Sequence, residues 1–281
     1  MTFKLKNLDI LCSKAQLETL PEGKLLINTI NAHSYNTARK DSLFAEALTR
    51  GDVLIPDGVS VVKACRWIKA KSQPRERIAG WDLFEFEMNR LEELSAMCHG
   101  AGEGLADDAC AATEAKKTVM FMGSSQRVLD LIVERAAEVY PHLRVVTYSP
   151  PYKPEFSADD NRAIVEAVNA ADPDLLWIGM TAPKQEKWTY SHWQQLDIHC
   201  HVGTIGAVFD FFAGTVERAP MWWQRHGLEW LYRLLKEPKR MWRRYIIGNA
   251  LFLWNIFFRE WPPACHTANK PKTGKCCLLH D

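Results

Sequence analysis

Residues 118–148 read TVMFMGSSQRVLDLIVERAAEVYPHLRVVTY. The segment opens on a short apolar run, 118–122, that stops at Gly123-Ser124. From 125 to 139 the apolar residues return at helical spacing, and 144–148, RVVTY, is again a strand pattern. Strand, helix and strand in so short a space form a βαβ unit, whose two strands lie parallel in one sheet. Downstream the alternation continues: a helix over 158–170, a strand over 174–178, a helix over 184–196 and a strand over 198–202. Upstream, KLLINTI (24–30) and DVLI (52–55) are strands, and 31–47, 59–70 and 83–97 are helical. The pattern predicts an α/β fold with a doubly wound parallel sheet flanked by helices. Residues 98–116, rich in Gly, Ala and Asp, read as a loop joining halves at 1–97 and 117–220.

Ligands of such sheets bind beyond the carboxyl ends of the strands. Those ends carry Thr29 and Asn31, Pro56-Asp57-Gly58, Gly123-Ser124, 179–185 and 203–206. Asp57 follows a buried strand in a tight turn, where a carboxylate faces a cleft as a general base or caps the next helix; both readings stand. Thr29 and Asn31 flank Ile30, so strand alternation sends both to one side, to a polar ligand or, for Asn31, to a helix cap. Gln185 lies where a helix begins after the 174–178 strand and can both donate and accept. Gly203 and Gly206 either admit a phosphate to the backbone or serve tight packing. Asp172-Pro173-Asp174 has the DxD form of a metal-binding pair but precedes its strand, so it reads as a turn. His199 and His201 lie in a predicted core strand. No metal and no cofactor is expected.

The chain has 281 residues, 47% hydrophobic and 25% charged, with a formal net charge of +1. It shows no secretory signal and no apolar run of membrane-spanning length. The eight Cys form no CxxC pair and read as reduced thiols of a cytoplasmic protein. The positive charge is concentrated: 225–244 holds seven Lys/Arg against two Asp/Glu. Six of the eleven Trp (222, 223, 230, 242, 254 and 261) lie within 203–245 or just after it. A helical, basic and aromatic appendage over 221–261 is expected, suited to an anionic ligand, a membrane surface, or both. Arg233, Lys236, Arg240 and Arg243 fall on one helical face, with Pro238 disturbing continuity unless a new helix starts there, and are able to stabilise a departing diphosphate. Residues 262–281 read as a disordered tail.

The motifs INTINAH (27–33), LIPDGVSVV (54–62), ERIAGWDLF (76–84), APKQEKW (182–188), GAVFDFFAGTVERAP (206–220) and LEWLYRLLKEPKRMWRRY (228–245) follow in this order. On these motifs the chain resembles the WecG/TagA/CpsF glycosyltransferases, bacterial enzymes that add a sugar to a lipid-linked intermediate of surface polymers. The resemblance implies a Rossmann-like core and an inverting, metal-independent transfer from a UDP-sugar, often of N-acetylmannosamine type, to a sugar on undecaprenyl diphosphate. It implies that Asp57 is the catalytic base and that Thr29, Asn31, Arg77 and Gln185 contact substrate. Arg233, Arg240 and Arg243 match arginines of an appendage that closes over the site and meets the inner face of the cell membrane. It also implies dimers or other self-association masking part of that appendage. The sequence departs from the family at 149–154, SPPYKP, where a glycine-containing segment is usual, and in the length of the 98–116 loop.

Two other readings remain. A dinucleotide-binding oxidoreductase fits the alternation but lacks a G-x-G-x-x-G after its first strand. A non-catalytic basic-aromatic module leaves Asp57, Thr29 and Asn31 without a task, and charge confined to one segment does not suit nucleic acid.

Overall fold

The computed structural model describes residues 3–100 and 116–260. Six strands, β1 (Leu25–Ile30), β2 (Val53–Pro56), β3 (Thr118–Gly123), β4 (Arg144–Tyr148), β5 (Leu175–Gly179) and β6 (His201–Thr204), form one sheet in the order β2-β1-β6-β5-β3-β4. Every pairing is parallel. The central strands are buried along their length because helices cover both faces.

Alternation sorts the side chains. Ile27, Val53, Ile55, Val119, Phe121, Leu175 and Trp177 pack on one face against α4 (Gly80–Gly100), α5 (Gln126–Val139) and α8 (Ala207–Phe212). On the other face Met120, Met122, Leu176, Ile178 and Val202 meet α6 (Ala158–Ala171) and α7 (Lys184–His192). There, too, Ile30 and Leu54 meet α1 (Ala32–Ala38), α2 (Ser42–Arg50) and α3 (Val59–Trp67). The chain thus leaves β1 toward one face and its neighbour β6 toward the other. The crevice between their carboxyl ends is the switch point at which this class of sheet binds ligands.

Several boundaries differ from the sequence reading. The helix expected over 31–47 is two helices, because Asp41 accepts the Phe44 amide (3.0 Å) and starts α2. The last strand lies later than 198–202: Ile198 and Cys200 are buried but precede the ladder, which begins at His201. Helix α4 runs to Gly100, so the expected loop begins later than 98, and 101–115 lie outside the described residues. The tail at 262–281 also lies outside them.

Beyond Pro220 the chain forms α9 (Met221–Arg225), α10 (Glu229–Lys236), α11 (Pro238–Trp242), a π-helical turn at Arg243–Ile247, α12 (Gly248–Asn255) and a second π-helical turn at Ile256–Glu260. Its end is built into the N-terminal half. Phe252 and Ile256 are fully buried beside Tyr35, whose ring meets Phe252 edge-on at 5.2 Å. The buried Glu260 carboxylate accepts the amides of Leu5 (2.7 Å) and Lys6 (2.9 Å) and the Tyr35 hydroxyl. No described helix is long and apolar enough to cross a membrane.

Candidate active site

A cavity of about 580 Å³ opens at the β1–β6 switch point, in the size range of small-molecule sites. Its floor is the carboxyl edge of the sheet, with Thr29, Asp57, Gln185 and Thr204; α10, the first π turn and α12 form its roof, with Glu229, Arg233, Arg244 and Asn249.

Asp57 is fixed from behind, since its amide donates to Ile30 O (2.9 Å) at the end of β1. It does not cap α3: the residue at the cap position is Gly58, and no side chain caps that helix. No hydrogen bond from the described residues engages the Asp57 carboxylate, which is left to face the cavity. Burial raises it above the usual carboxylate range; Arg77, Arg233 and Arg244 pull the other way, and Glu229 adds to the rise. The residue is half-buried and lines the cavity.

Thr29 lines the cavity from the penultimate position of β1. Asn31 lines it as well, and it also caps α1: Oδ1 accepts the amides of His33 and Ser34, both at 3.0 Å. Its side-chain amide N has no partner among the described residues and is available to a ligand. Gln185 is 3% exposed and held at both ends. Its Oε1 accepts the Met180 amide (3.2 Å), and its Nε2 donates to Glu186 Oε1 (3.0 Å). Gly206 makes room for it, because a Cβ there would fall 2.8 Å from Gln185 Oε1. Gly203 serves packing: a Cβ there would lie 2.1 Å from the Trp177 ring.

Arg77 pairs with Glu229 at 3.0 Å and so ties the 76–84 segment to α10. Burial works against its charge, but Asp57 and Glu229 hold its pKa above the usual value. Arg233 lies over the Phe211 ring (4.9 Å) and Arg218 over the Trp81 ring (5.1 Å). Arg218, Arg233 and Arg244 all line the cavity, and none of them is in an ion pair among the described residues.

The appendage does not present the arginines expected of a single helix. α10 ends at Lys236, Glu237 leaves helical geometry, and α11 restarts at Pro238. The π turn then shifts the register again. As a result Arg244 enters the cavity, while Arg243 is exposed, over the Trp242 ring at 5.4 Å. Lys236 turns to Glu217 at 3.7 Å, and the side chain of Arg240 lies outside the described residues.

Sequence reasoning did not single out Glu186, Arg218, Arg244, Glu229 or His33, which also line the cavity. All five lie within the motifs quoted above, but a linear spacing does not reveal which members turn inward. His33 is pushed down to about 4 by burial and then by Arg244, so it is neutral at pH 7. Burial raises Glu186 to about 7. Among the described residues, three buried side-chain atoms lack a hydrogen-bond partner: Glu186 Oε2, Arg218 Nε and Arg244 Nε. All three belong to this cavity. Buried polar atoms are normally satisfied, so a cavity that collects the exceptions is shaped for a ligand that satisfies them.

The metal-like patterns lie at the opposite end of the sheet. Asp174 accepts the Thr118 amide and Lys117 Nζ, both at 2.8 Å, and Asp172 ends α6. The two ring nitrogens of His201 are engaged by Glu87 (2.7 Å) and Pro21 O (2.9 Å).

The chain is 28% identical over 221 residues to an N-acetylglucosaminyldiphosphoundecaprenol N-acetyl-beta-D-mannosaminyltransferase of Bacillus subtilis (strain 168), covering 79% of this chain and 75% of the relative. It is 30% identical over 220 residues to a protein of the same description from Bacillus spizizenii (strain ATCC 23059 / NRRL B-14472 / W23), covering 78% and 74%. A third so described, from Staphylococcus aureus (strain MW2), is 26% identical over 235 residues, covering 83% and 80%. The family model described as Glycosyl transferase WecG/TagA/CpsF family matches residues 5–116 and 101–265. That match takes in both walls of the cavity and its roof, and the chain therefore belongs to the WecG/TagA/CpsF family of glycosyltransferases.

Proposed function

We propose that the chain transfers an N-acetylmannosamine-type sugar from a UDP-sugar to a sugar carried on undecaprenyl diphosphate, with inversion at the anomeric carbon. The observation that carries this reading is the meeting, in one cavity, of a half-buried carboxylate that caps no helix, Asp57, with Arg218, Arg233 and Arg244, which hold no ion pair among the described residues. A glycosyl transfer needs both parts. The acceptor hydroxyl attacks the anomeric carbon and gives its proton to Asp57, while the bond from that carbon to the diphosphate oxygen breaks and UDP leaves with the electron pair. Burial favours proton uptake by Asp57. The arginines meet the charge that develops on the leaving diphosphate, the task a divalent metal performs in other transferases, so the reading includes metal independence. Thr29, Asn31 and Gln185 orient the sugars.

The relatives are named for transfer to N-acetylglucosaminyldiphosphoundecaprenol, which supports an acceptor of that kind for this chain. Such an acceptor sits in a membrane. The appendage offers a surface to meet it, with Trp222, Ile246, Ile247, Trp254 and Phe258 exposed among arginines.

The test is UDP release from UDP-N-acetylmannosamine with a short-chain lipid-diphosphate N-acetylglucosamine, with and without EDTA. Release that needs the acceptor and survives EDTA is expected; no release with this pair, or with other UDP-hexoses, overturns the reading. Asp57→Asn is expected to lower turnover by about 10²–10⁴-fold while UDP binding changes little. Normal turnover by that variant would remove Asp57 from the base role.

A further inference from the structure

Glu186 is 1% exposed at the start of α7 and lines the cavity beside Gln185. The polar chain from Met180 N through Gln185 to Glu186 Oε1 decides which oxygen is occupied. Oε2 is left without a partner. A buried acceptor in that state destabilises the folded chain unless something else uses it. Nothing cationic does so: Glu186 takes part in no ion pair among the described residues, and the arginines of the roof act on Asp57 and not on it. An ionised carboxylate without a cation repels a phosphate. The diphosphate therefore belongs with Arg218 and Arg244, whose Nε atoms are the complementary unpaired donors. What suits Glu186 is a neutral hydrogen-bond donor.

We infer that Glu186 is a specificity-determining residue, whose Oε2 accepts a hydrogen bond from a neutral O–H or N–H of the bound nucleotide-sugar. This rests on the glycosyl-transfer reading above. The donor is either a hydroxyl or acetamido N–H of the sugar, or a ribose hydroxyl or base N–H of the nucleoside. Acceptance by Glu186 selects substrates that place such a group there, and it rejects those lacking one, because the carboxylate is then left buried and unpaired.

Glu186→Gln tests this directly. The side-chain oxygen still accepts from Gln185, and an NH₂ group replaces the free acceptor. Calorimetric titration at pH 8, above the value of about 7 to which burial raises Glu186, of the wild type and the variant with UDP and with UDP-N-acetylmannosamine should show the nucleotide-sugar bound at least about tenfold more weakly by the variant, as expected for loss of a hydrogen bond to a charged group. UDP affinity that is unchanged assigns the contact to the sugar, and an equal loss assigns it to the nucleoside; both outcomes uphold the contact. Deoxy analogues supply a readout that a merely structural Glu186 would not move. The analogue lacking the contacted group should bind the wild type about as weakly as the parent binds the variant, and the variant should not distinguish the two. A variant that folds and binds both ligands like the wild type overturns the inference alone. A wild type that binds neither UDP nor the nucleotide-sugar overturns the glycosyl-transfer reading and this inference with it.

Discussion

Asp57 and Glu186 are two carboxylates on one cavity, and their surroundings differ. Burial raises both, but Asp57 has Arg77, Arg233 and Arg244 pulling it back, whereas Glu186 has only its own amide and Gln185. That difference has a consequence for stability. Glu186 rises from 4.5 to about 7 in the folded chain. A carboxyl with a raised pKa adds stability that is fully present below its unfolded value and is lost as pH rises through its folded value. At pH 8 Glu186 therefore costs the folded protein on the order of 3 kcal/mol relative to a neutral isostere. Glu186→Gln should melt several degrees above the wild type at pH 8 and together with it at pH 4.5. Thermal melts at the two pH values check this, and a variant less stable at pH 8 would show that the carboxylate has a native partner. A group retained despite such a cost is expected at functional sites, where local rules yield to chemistry.

At the scale of elements, the appendage shows what a linear pattern conveys and what it does not. The six strands and the helices between them were legible because a buried parallel sheet writes itself as short apolar runs separated by helical periodicity. Thr29, Asp57 and Gln185 followed because the ends of those runs are where ligands bind. Arg244 was not legible. Pro238 marks the restart of the helix in the sequence, but Arg244's position also depends on the π turn at Arg243–Ile247, which leaves no periodic signature. Nor was Arg218, which follows α8 in a loop with no period to read. Asn31 shows the reverse limit: its cap was foreseeable from residue type, but only the fold shows that it caps α1 and lines the cavity together. The phase shift predicts a contrast between neighbours. Arg244→Ala should weaken UDP binding and detergent-solubilised transfer by about tenfold or more, and Arg243→Ala should leave both within about twofold. Equal losses from the two would mean that the segment is an unbroken α-helix in solution. The Glu260 clasp makes a second prediction. Removing that carboxylate leaves the buried Leu5 amide, the part-buried Lys6 amide and the Tyr35 hydroxyl without their acceptor, so Glu260→Ala should cost about 3 kcal/mol or more. Denaturant titration measures it, and hydrogen exchange should show α12 opening before the sheet.

For the whole molecule, the appendage joins two surfaces. Its inner side completes the cavity with Trp230, Tyr245 and Leu253, and its outer side exposes Ile246, Ile247, Trp254 and Phe258. Tyr245 and Ile246 are consecutive, so a membrane touching the outer side lies one residue from the cavity wall. On the proposed function, a lipid-linked acceptor can then reach Asp57 without its polyprenyl chain leaving the bilayer. Removing the appendage is a poor test of this arrangement, because Phe252, Ile256 and Glu260 belong to the core of the N-terminal half and their loss would unfold it. Point changes on the outer side avoid that. Trp222, Ile246 and Phe258 are 58%, 57% and 68% exposed, so replacing all three with Ser should change the melting temperature little. The same variant should lose most of its association with vesicles containing anionic lipid, and its activity on vesicle-borne acceptor should fall. Its activity on a short-chain soluble acceptor should persist, because the cavity is untouched. Wild-type association should also weaken as salt is raised, since the surrounding arginines contribute a screened attraction. If the triple variant sediments with vesicles as the wild type does, the exposed side chains meet something other than a membrane, and a second copy of the chain becomes the first alternative to measure by sedimentation equilibrium.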